Sequence, residues 1–249
     1  MNTTRKPTNR QETHRAARCI ANRKWGAFAA AGFAAMVFAL PVVPAHAAEN
    51  YQASLKAGDD LRASKQYEQA LVEYEAAGKH ATTPTEQALA LGKKGMIYAF
   101  DQKNYQAARE AADAATGMPD IRPVALVTAL QVMAECQMKE DKDYAGATAT
   151  LERALELEGV AWAQPTLTMA LGDSYRFSGK FPLAIETYNK TSELPETNPG
   201  MKGIAFLNIG LTQQYNLHDA EEAKKAYKKA VELNPALQKE VDGHLARIP

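Results

Sequence analysis

The chain has 249 residues, with 29 basic and 29 acidic side chains, 46% apolar residues and two cysteines. Two cysteines are too few for a disulfide framework or a multi-cysteine zinc module, and 15 Gly with 12 Pro is ordinary usage, which excludes collagen-like and Pro/Gly-rich disordered chains. Zero net charge argues against a nucleic-acid or acidic-membrane binder, which needs a surplus of Lys and Arg.

That zero is an average over two unlike parts. Residues 1–24 hold seven basic residues (Arg5, Lys6, Arg10, Arg15, Arg18, Arg23, Lys24) and one acid, Glu12. An uncharged apolar run from Trp25 stops at Pro41, and Ala45-His46-Ala47 follows. A basic stretch, a short apolar core and an Ala-x-Ala site form the pattern of a secretory signal peptide. The run before Pro41 falls short of the ~20 residues of a spanning helix. Cleavage after Ala47 and an exported, periplasmic or secreted destination are therefore expected, with a retained anchor as the alternative. Taking seven basic and one acidic residue from 29 of each leaves 22 basic and 28 acidic, so residues 48–249 carry a net charge of −6. Cys136 is then the one remaining thiol, and its apolar neighbours point to helix packing.

Beyond the leader the sequence repeats. Five segments align on a small residue, Ala70, Ala108, Ala147, Ala184 and Ala223, preceded three residues earlier by Tyr67, Tyr105, Tyr144, Phe181 and Ala220. Four residues after each alanine stand Tyr74, Ala112, Leu151, Tyr188 and Tyr227, and three further on Ala77, Ala115, Ala154, Thr191 and Ala230. Such spacing is one stripe of a helix. Upstream of each lies a second apolar helix with its own small residue, at Gly58, Gly95, Ala134, Gly172 and Gly210. The fourth unit runs Leu171-Gly172-x-x-Tyr175, then Gly179-x-Phe181-x-x-Ala184-x-x-x-Tyr188, and the fifth ends Leu233-Asn234-Pro235. The pattern resembles the tetratricopeptide repeat, over about residues 50–235. Unit two departs from it at Ala112, and unit three carries one extra residue between Ala134 and Tyr144. The resemblance implies an all-α, right-handed solenoid of about five hairpins, with units at about 50–83, 84–119, 120–160, 161–197 and 198–235. A capping helix over 236–249 is marked by Leu237, Val241 and Leu245. The repeat domain would occupy 48–249.

Punctuation fits this division. Thr83-Pro84-Thr85-Glu86 reads as a capping box with proline at the first helical position. Pro119, Pro123, Pro165 and Pro199 fall between units, and Pro182 falls in a first helical turn. Among the motifs that carry chemistry, none is found: no HExxH, CxxC, GxSxG, Walker loop or GxGxxG. Gly92-Lys93-Lys94-Gly95 lies in a helix pattern and lacks the Ser/Thr of a phosphate loop. Glu140-Asp141-Lys142-Asp143 lacks the glycine and bidentate Glu of a calcium loop. Lys224, Lys225, Lys228 and Lys229 read as a solvated stripe balanced by Glu221 and Glu222 at helical i,i+4 spacing. No catalytic residue, cofactor or metal site is expected, and the chain is read as not an enzyme.

In tetratricopeptide arrays the first helices line a concave surface. Counting from the small residues places Met96, Phe100, Gln131, Glu135, Met138, Met169, Asp173, Arg176, Phe177, Leu207, Gln214 and Tyr215 along that groove. Methionine and aromatic side chains with a few polar groups suit an extended peptide or an amphipathic helix. The expected function is an exported scaffold binding another envelope protein, with no nucleic-acid or membrane partner after cleavage. Two alternatives stay open: a small-molecule or glycan-binding superhelix, with Glu135 and Asp173 as its groove carboxylates, and a self-assembling array.

Overall fold

The structure is a computed structural model describing residues 45–248, with side chains from Asn50 onward. The leader expected at 1–47 lies outside the described residues, apart from Ala45–Ala47 at the start of the first helix. Five hairpins follow in order: α1 (Ala45–Ala63) with α2 (Tyr67–His80), α3 (Pro84–Met96) with α4 (Tyr105–Thr116), and α5 (Pro123–Cys136) with α6 (Tyr144–Leu155). Then come α7 (Gln164–Phe177) with α8 (Phe181–Glu193), and α9 (Pro199–Thr212) with α10 (Ala220–Leu233). A 3₁₀ turn at Pro235–Leu237 leads into α11 (Gln238–Leu245). Among the described residues there is no strand. The expected all-α solenoid closed by a terminal helix is observed.

Each hairpin closes on its paired small residues. Ala70, Ala108, Ala147, Ala184 and Ala223 are fully buried, as are Tyr74, Tyr188, Tyr227 and Leu151. A Cβ added at Gly58 or Gly172 would stand 2.5 Å from a ring carbon of Tyr74 or Tyr188, and one at Gly210 would collide with Tyr227 in the same way. Glycine is required there because the tyrosine ring occupies the space of a side chain. The third hairpin keeps Ala134 and fits the smaller Leu151 against it. The cap behaves similarly: Val241 is buried, while Leu237 and Leu245 pack against the core of the last two hairpins.

One departure from the sequence reading concerns the spacing inside the hairpins. The spacing between paired small residues is twelve in units one and four (Gly58 to Ala70, Gly172 to Ala184). In units two, three and five it is thirteen (Gly95 to Ala108, Ala134 to Ala147, Gly210 to Ala223). Those three first helices end in a π turn, at Ile97–Gln102, Gln137–Asp141 and Gln213–Leu217. The extra residue sits in the wider turn, so both helices keep their contact. All five first helices then close through a left-handed residue, Lys65, Lys103, Lys142, Gly179 or His218. The following amide donates back to Leu61, Tyr98, Gln137, Tyr175 or Gln213 at 2.8–2.9 Å. The insertion is thus shared by three units and is not peculiar to the third.

Helix starts follow the expected chemistry. Thr83 and Glu86 form the reciprocal capping box, with Pro84 behind them. Asn104, Asp143 and Asp219 each accept from the amide three residues on. In the acidic turn before α6, Asp143 is therefore a cap, while Asp141 and Glu140 face Arg109 at 2.6 and 3.7 Å. The lysine stripe of α10 pairs at i,i+3 rather than i,i+4: Lys224 with Glu221 at 2.9 Å and Lys225 with Glu222 at 2.6 Å. Cys136 is fully buried, and burial pushes its thiol up to about 11, as expected of a packing residue.

Two outcomes follow. Gly172→Ala should cost about 1–3 kcal/mol through overpacking against Tyr188. Gly243→Ala, where an added Cβ meets nothing within 4 Å, should gain up to ~1 kcal/mol of helix propensity; urea unfolding reads both. The second concerns alkali. Burial raises the hydroxyl pKa of Tyr51 to about 12 and pushes Tyr74, Tyr188 and Tyr227 upward as well. Unfolded tyrosines titrate near ~10. Below that both states hold the proton, and above it only the unfolded chain releases it. Stability should therefore be flat up to about pH 10 and then fall, by up to ~1.4 kcal/mol per pH unit for each tyrosine. Urea titrations across that range measure the slope, which Tyr74→Phe should reduce.

Candidate functional site

The first helices α1, α3, α5, α7 and α9 stand side by side, joined by polar bridges between neighbours. Lys93 on α3 donates to Asp59 on α1 at 2.8 Å, and Arg62 on α1 to Asp101 in the first π turn at 2.8 Å. Gln131 on α5 donates to Thr166 on α7 at 2.7 Å, and Asn208 on α9 to Asp173 on α7 at 3.4 Å. Between these bridges lies a hollow of about 390 Å³ formed by Arg62, Met96, Phe100, Gln131, Glu135, Met138, Trp162, Thr166 and Ala170. Its volume falls in the range of ligand sites, ~300–1,000 Å³.

Five of the twelve expected groove residues meet in this hollow: Met96, Phe100, Gln131, Glu135 and Met138. Met138 is 3% exposed, so most of it belongs to the core of the third hairpin and its end forms the floor. Glu135 is 8% exposed, and desolvation raises its carboxyl pKa above the ordinary glutamate range, opposed by Lys139 and Lys103 and reinforced by Asp173. Met169, Asp173, Arg176 and Phe177 form a second cluster along α7. Asp173 accepts from the Tyr188 hydroxyl at 2.6 Å and lies 3.7 Å from Arg176, whose Nε donates to that hydroxyl at 3.3 Å. Met169 Sδ accepts from Asn208 at 3.5 Å. Phe177 stacks on Tyr144 and has the Lys139 ammonium and the Arg176 guanidinium each 4.5 Å from its ring centre.

The last three expected residues lie away from this hollow, in the core or against the cap. Leu207 is 5% exposed, packed in the core of the last two hairpins, because its face of α9 turns inward. Gln214 accepts from the Tyr227 hydroxyl at 2.6 Å and donates to the His244 carbonyl at 2.9 Å. Tyr215 meets His244 Nδ1 at 2.9 Å, edge-on to its ring. Both are bonded to the cap helix, Tyr215 staying 42% exposed, and they border a separate hollow beside His218 and Arg247.

Counting missed Arg62, Trp162, Thr166 and Ala170. Arg62 was within reach: it lies four residues after Gly58, as Met138 and Arg176 lie four after Ala134 and Gly172. Trp162, 55% exposed, lies in the 3₁₀ turn Ala161–Ala163, which helical spacing does not address.

Residues 205–237, which hold most of the fifth hairpin and the turn after it, match the family model of the tetratricopeptide repeat. Among solved structures, the chain is similar to the MamA protein, with a TM-score of 0.51 at 24% identity, over 77% of this chain and 96% of that one. It is also similar to YrrB, described as a TPR protein with an unusual peptide-binding site, with a TM-score of 0.48 at 20% identity, over 73% and 85% of the two chains. No curated relative matches the chain. The repeat match places a tetratricopeptide repeat in the fifth hairpin, and the chain shares the helical-hairpin fold of the MamA protein.

The α7 cluster yields a test of stability. Asp173→Ala strands the Tyr188 hydroxyl and Arg176 together and should cost about 1–3 kcal/mol. Tyr188→Phe leaves Asp173 with Arg176 and Asn208, and should cost about 1 kcal/mol. The double variant should lose less than the sum, as urea titration of all four chains would show.

Proposed function

We propose that the chain is a non-catalytic scaffold that binds an extended peptide segment of a protein partner in the hollow over α3, α5 and α7. The observation that carries this reading is an apolar hollow open to solvent and walled by Met96, Phe100, Met138 and Trp162, with polar bridges fixing its helices on either side. Methionine adapts to varied side chains, while Phe100 and Trp162 offer large contact area at little entropic cost. The polar groups of α7 are spent on one another: Asp173, Arg176, Tyr188 and Asn208 form a closed set, which leaves no nucleophile–base pair there to work on a substrate.

The partner would be met outside the cytoplasm, in the envelope or the medium. Support for export comes from the basic leader, the short apolar core and Ala45-His46-Ala47. Expression of the full chain in its host should yield a mature protein beginning at Ala48, read by N-terminal sequencing; an intact Met1 would overturn export by cleavage. For the groove, a random-peptide phage library panned on the purified chain should yield binders. Phe100→Ala and Trp162→Ala should each weaken those binders by about 2 kcal/mol, the scale of an interface anchor. Binders indifferent to both changes would remove the hollow as the binding site.

A further inference from the structure

Glu135 has no hydrogen bond or ion pair among the described residues, yet it is more than nine-tenths buried and borders the hollow. The repeat explains how this arises. In the first and fourth hairpins the residue after the paired glycine is Asp59 or Asp173, and each accepts from the tyrosine of the second helix, Tyr74 or Tyr188, at 2.6 Å. Glu135 occupies the same position after Ala134, but the facing residue of the third hairpin is Leu151, which has no hydroxyl to give. The acid of this position is kept while its internal donor is gone.

Neighbouring cations do not take the donor's place. Arg62, on the wall of the hollow, is bonded to Asp101 at 2.8 Å. Lys139 sits over the Phe177 ring, and Lys103 donates to the Phe100 carbonyl at 2.7 Å. The Glu135 carboxylate is not among the sealed polar atoms, so it still reaches the hollow, and there, partly desolvated, it would gain a strong charge-assisted bond from a cationic donor brought by a ligand. Around it stand Met96, Phe100, Met138 and Trp162, which suit the methylene stem of a long side chain and, through their rings, its cationic head. The net charge of −6 on residues 48–249 favours the approach of such a ligand.

We infer that Glu135 anchors a basic side chain, lysine or arginine, of the peptide held in the hollow. This rests on the groove reading given above. The anchoring carboxylate comes from the third hairpin, and the aromatic walls come from Phe100 of the second and Trp162 of the fourth.

The test uses the phage-selected peptides, synthesised with capped ends and titrated against the full chain. The selected set should be enriched in Lys or Arg next to an apolar residue. Replacing that basic residue by norleucine should weaken binding roughly ten- to hundredfold, and Glu135→Gln should do the same. Together the two changes should cost little more than either alone, since both remove one contact. Trp162 fluorescence, in a Trp25→Phe background, reports occupancy of the hollow. Glu135→Gln should leave the melting temperature unchanged or raise it, because it removes a desolvated charge; a fall would assign Glu135 an internal structural role and overturn the inference. Binders that need Phe100 and Trp162 but tolerate both norleucine and Glu135→Gln would overturn the anchor and leave the groove standing. Selection of no binder dependent on Phe100 or Trp162 would overturn the groove and the anchor with it.

Discussion

Where the two helices of a hairpin approach most closely, one side chain must nearly vanish. In three of the five hairpins the first helix has glycine at that point and the second lays a tyrosine ring into the gap, so tightly that a methyl group would overlap it. This contact decides more than local packing. The ring passes between the helices and delivers its hydroxyl to the groove side, where Asp59, Asp173 or Gln214 receives it at 2.6 Å. A core contact thereby dictates which groove residues are committed to the fold. Hairpins two and three, built on Gly95 with Ala112 and Ala134 with Leu151, send no hydroxyl through, and it is between them that the open hollow lies.

Keeping that contact in register is also the reason for the π turns. An inserted residue in a regular helix would rotate everything beyond it by about 100°, carrying the closing turn off the second helix. Widening one turn absorbs the residue. The left-handed closing residue and the backbone bond behind it are then kept in all five hairpins, whether the spacing is twelve or thirteen. In the second and third hairpins the π turns also supply Phe100 and Met138 to the hollow, so the insertion that preserves the fold broadens the groove wall.

Hairpin number, helix faces and caps were legible because each rests on local chemistry: a stripe of small residues, a proline in a first turn, a capping box at Thr83 and Glu86. The thirteen-residue spacing was also visible at three places, but periodicity alone does not say whether a loop or a helix takes up the extra residue. The groove was legible only in its middle. Residues counted from Gly95 and Ala134 met in one hollow, whereas the same counting from Gly210 reached Leu207, Gln214 and Tyr215, which are claimed by the core and the cap. Helical spacing records which face a residue occupies and not what else lies against that face. Trp162 escaped for the converse reason, since it reaches the hollow from a turn outside any helical register.

These two limits together define the usable length of the groove. At the C-terminal side, α11 brings His244 over Tyr227 and against Tyr215, so Gln214 and the Tyr215 hydroxyl are already bonded to the cap. On α7, the cations flanking Phe177 and the bonds among Asp173, Arg176 and Tyr188 satisfy that stretch internally. What is left is the span from Arg62 to Ala170, in which Glu135 is the charged residue of the hollow without a hydrogen bond or ion pair among the described residues, whereas Arg62 is bonded to Asp101. Leu151 stands in the core where Tyr74 and Tyr188 stand in the first and fourth hairpins, so the choice of a core residue decides whether the acid after the paired small residue is bonded inside the hairpin, as Asp59 and Asp173 are, or left to face the hollow, as Glu135 is.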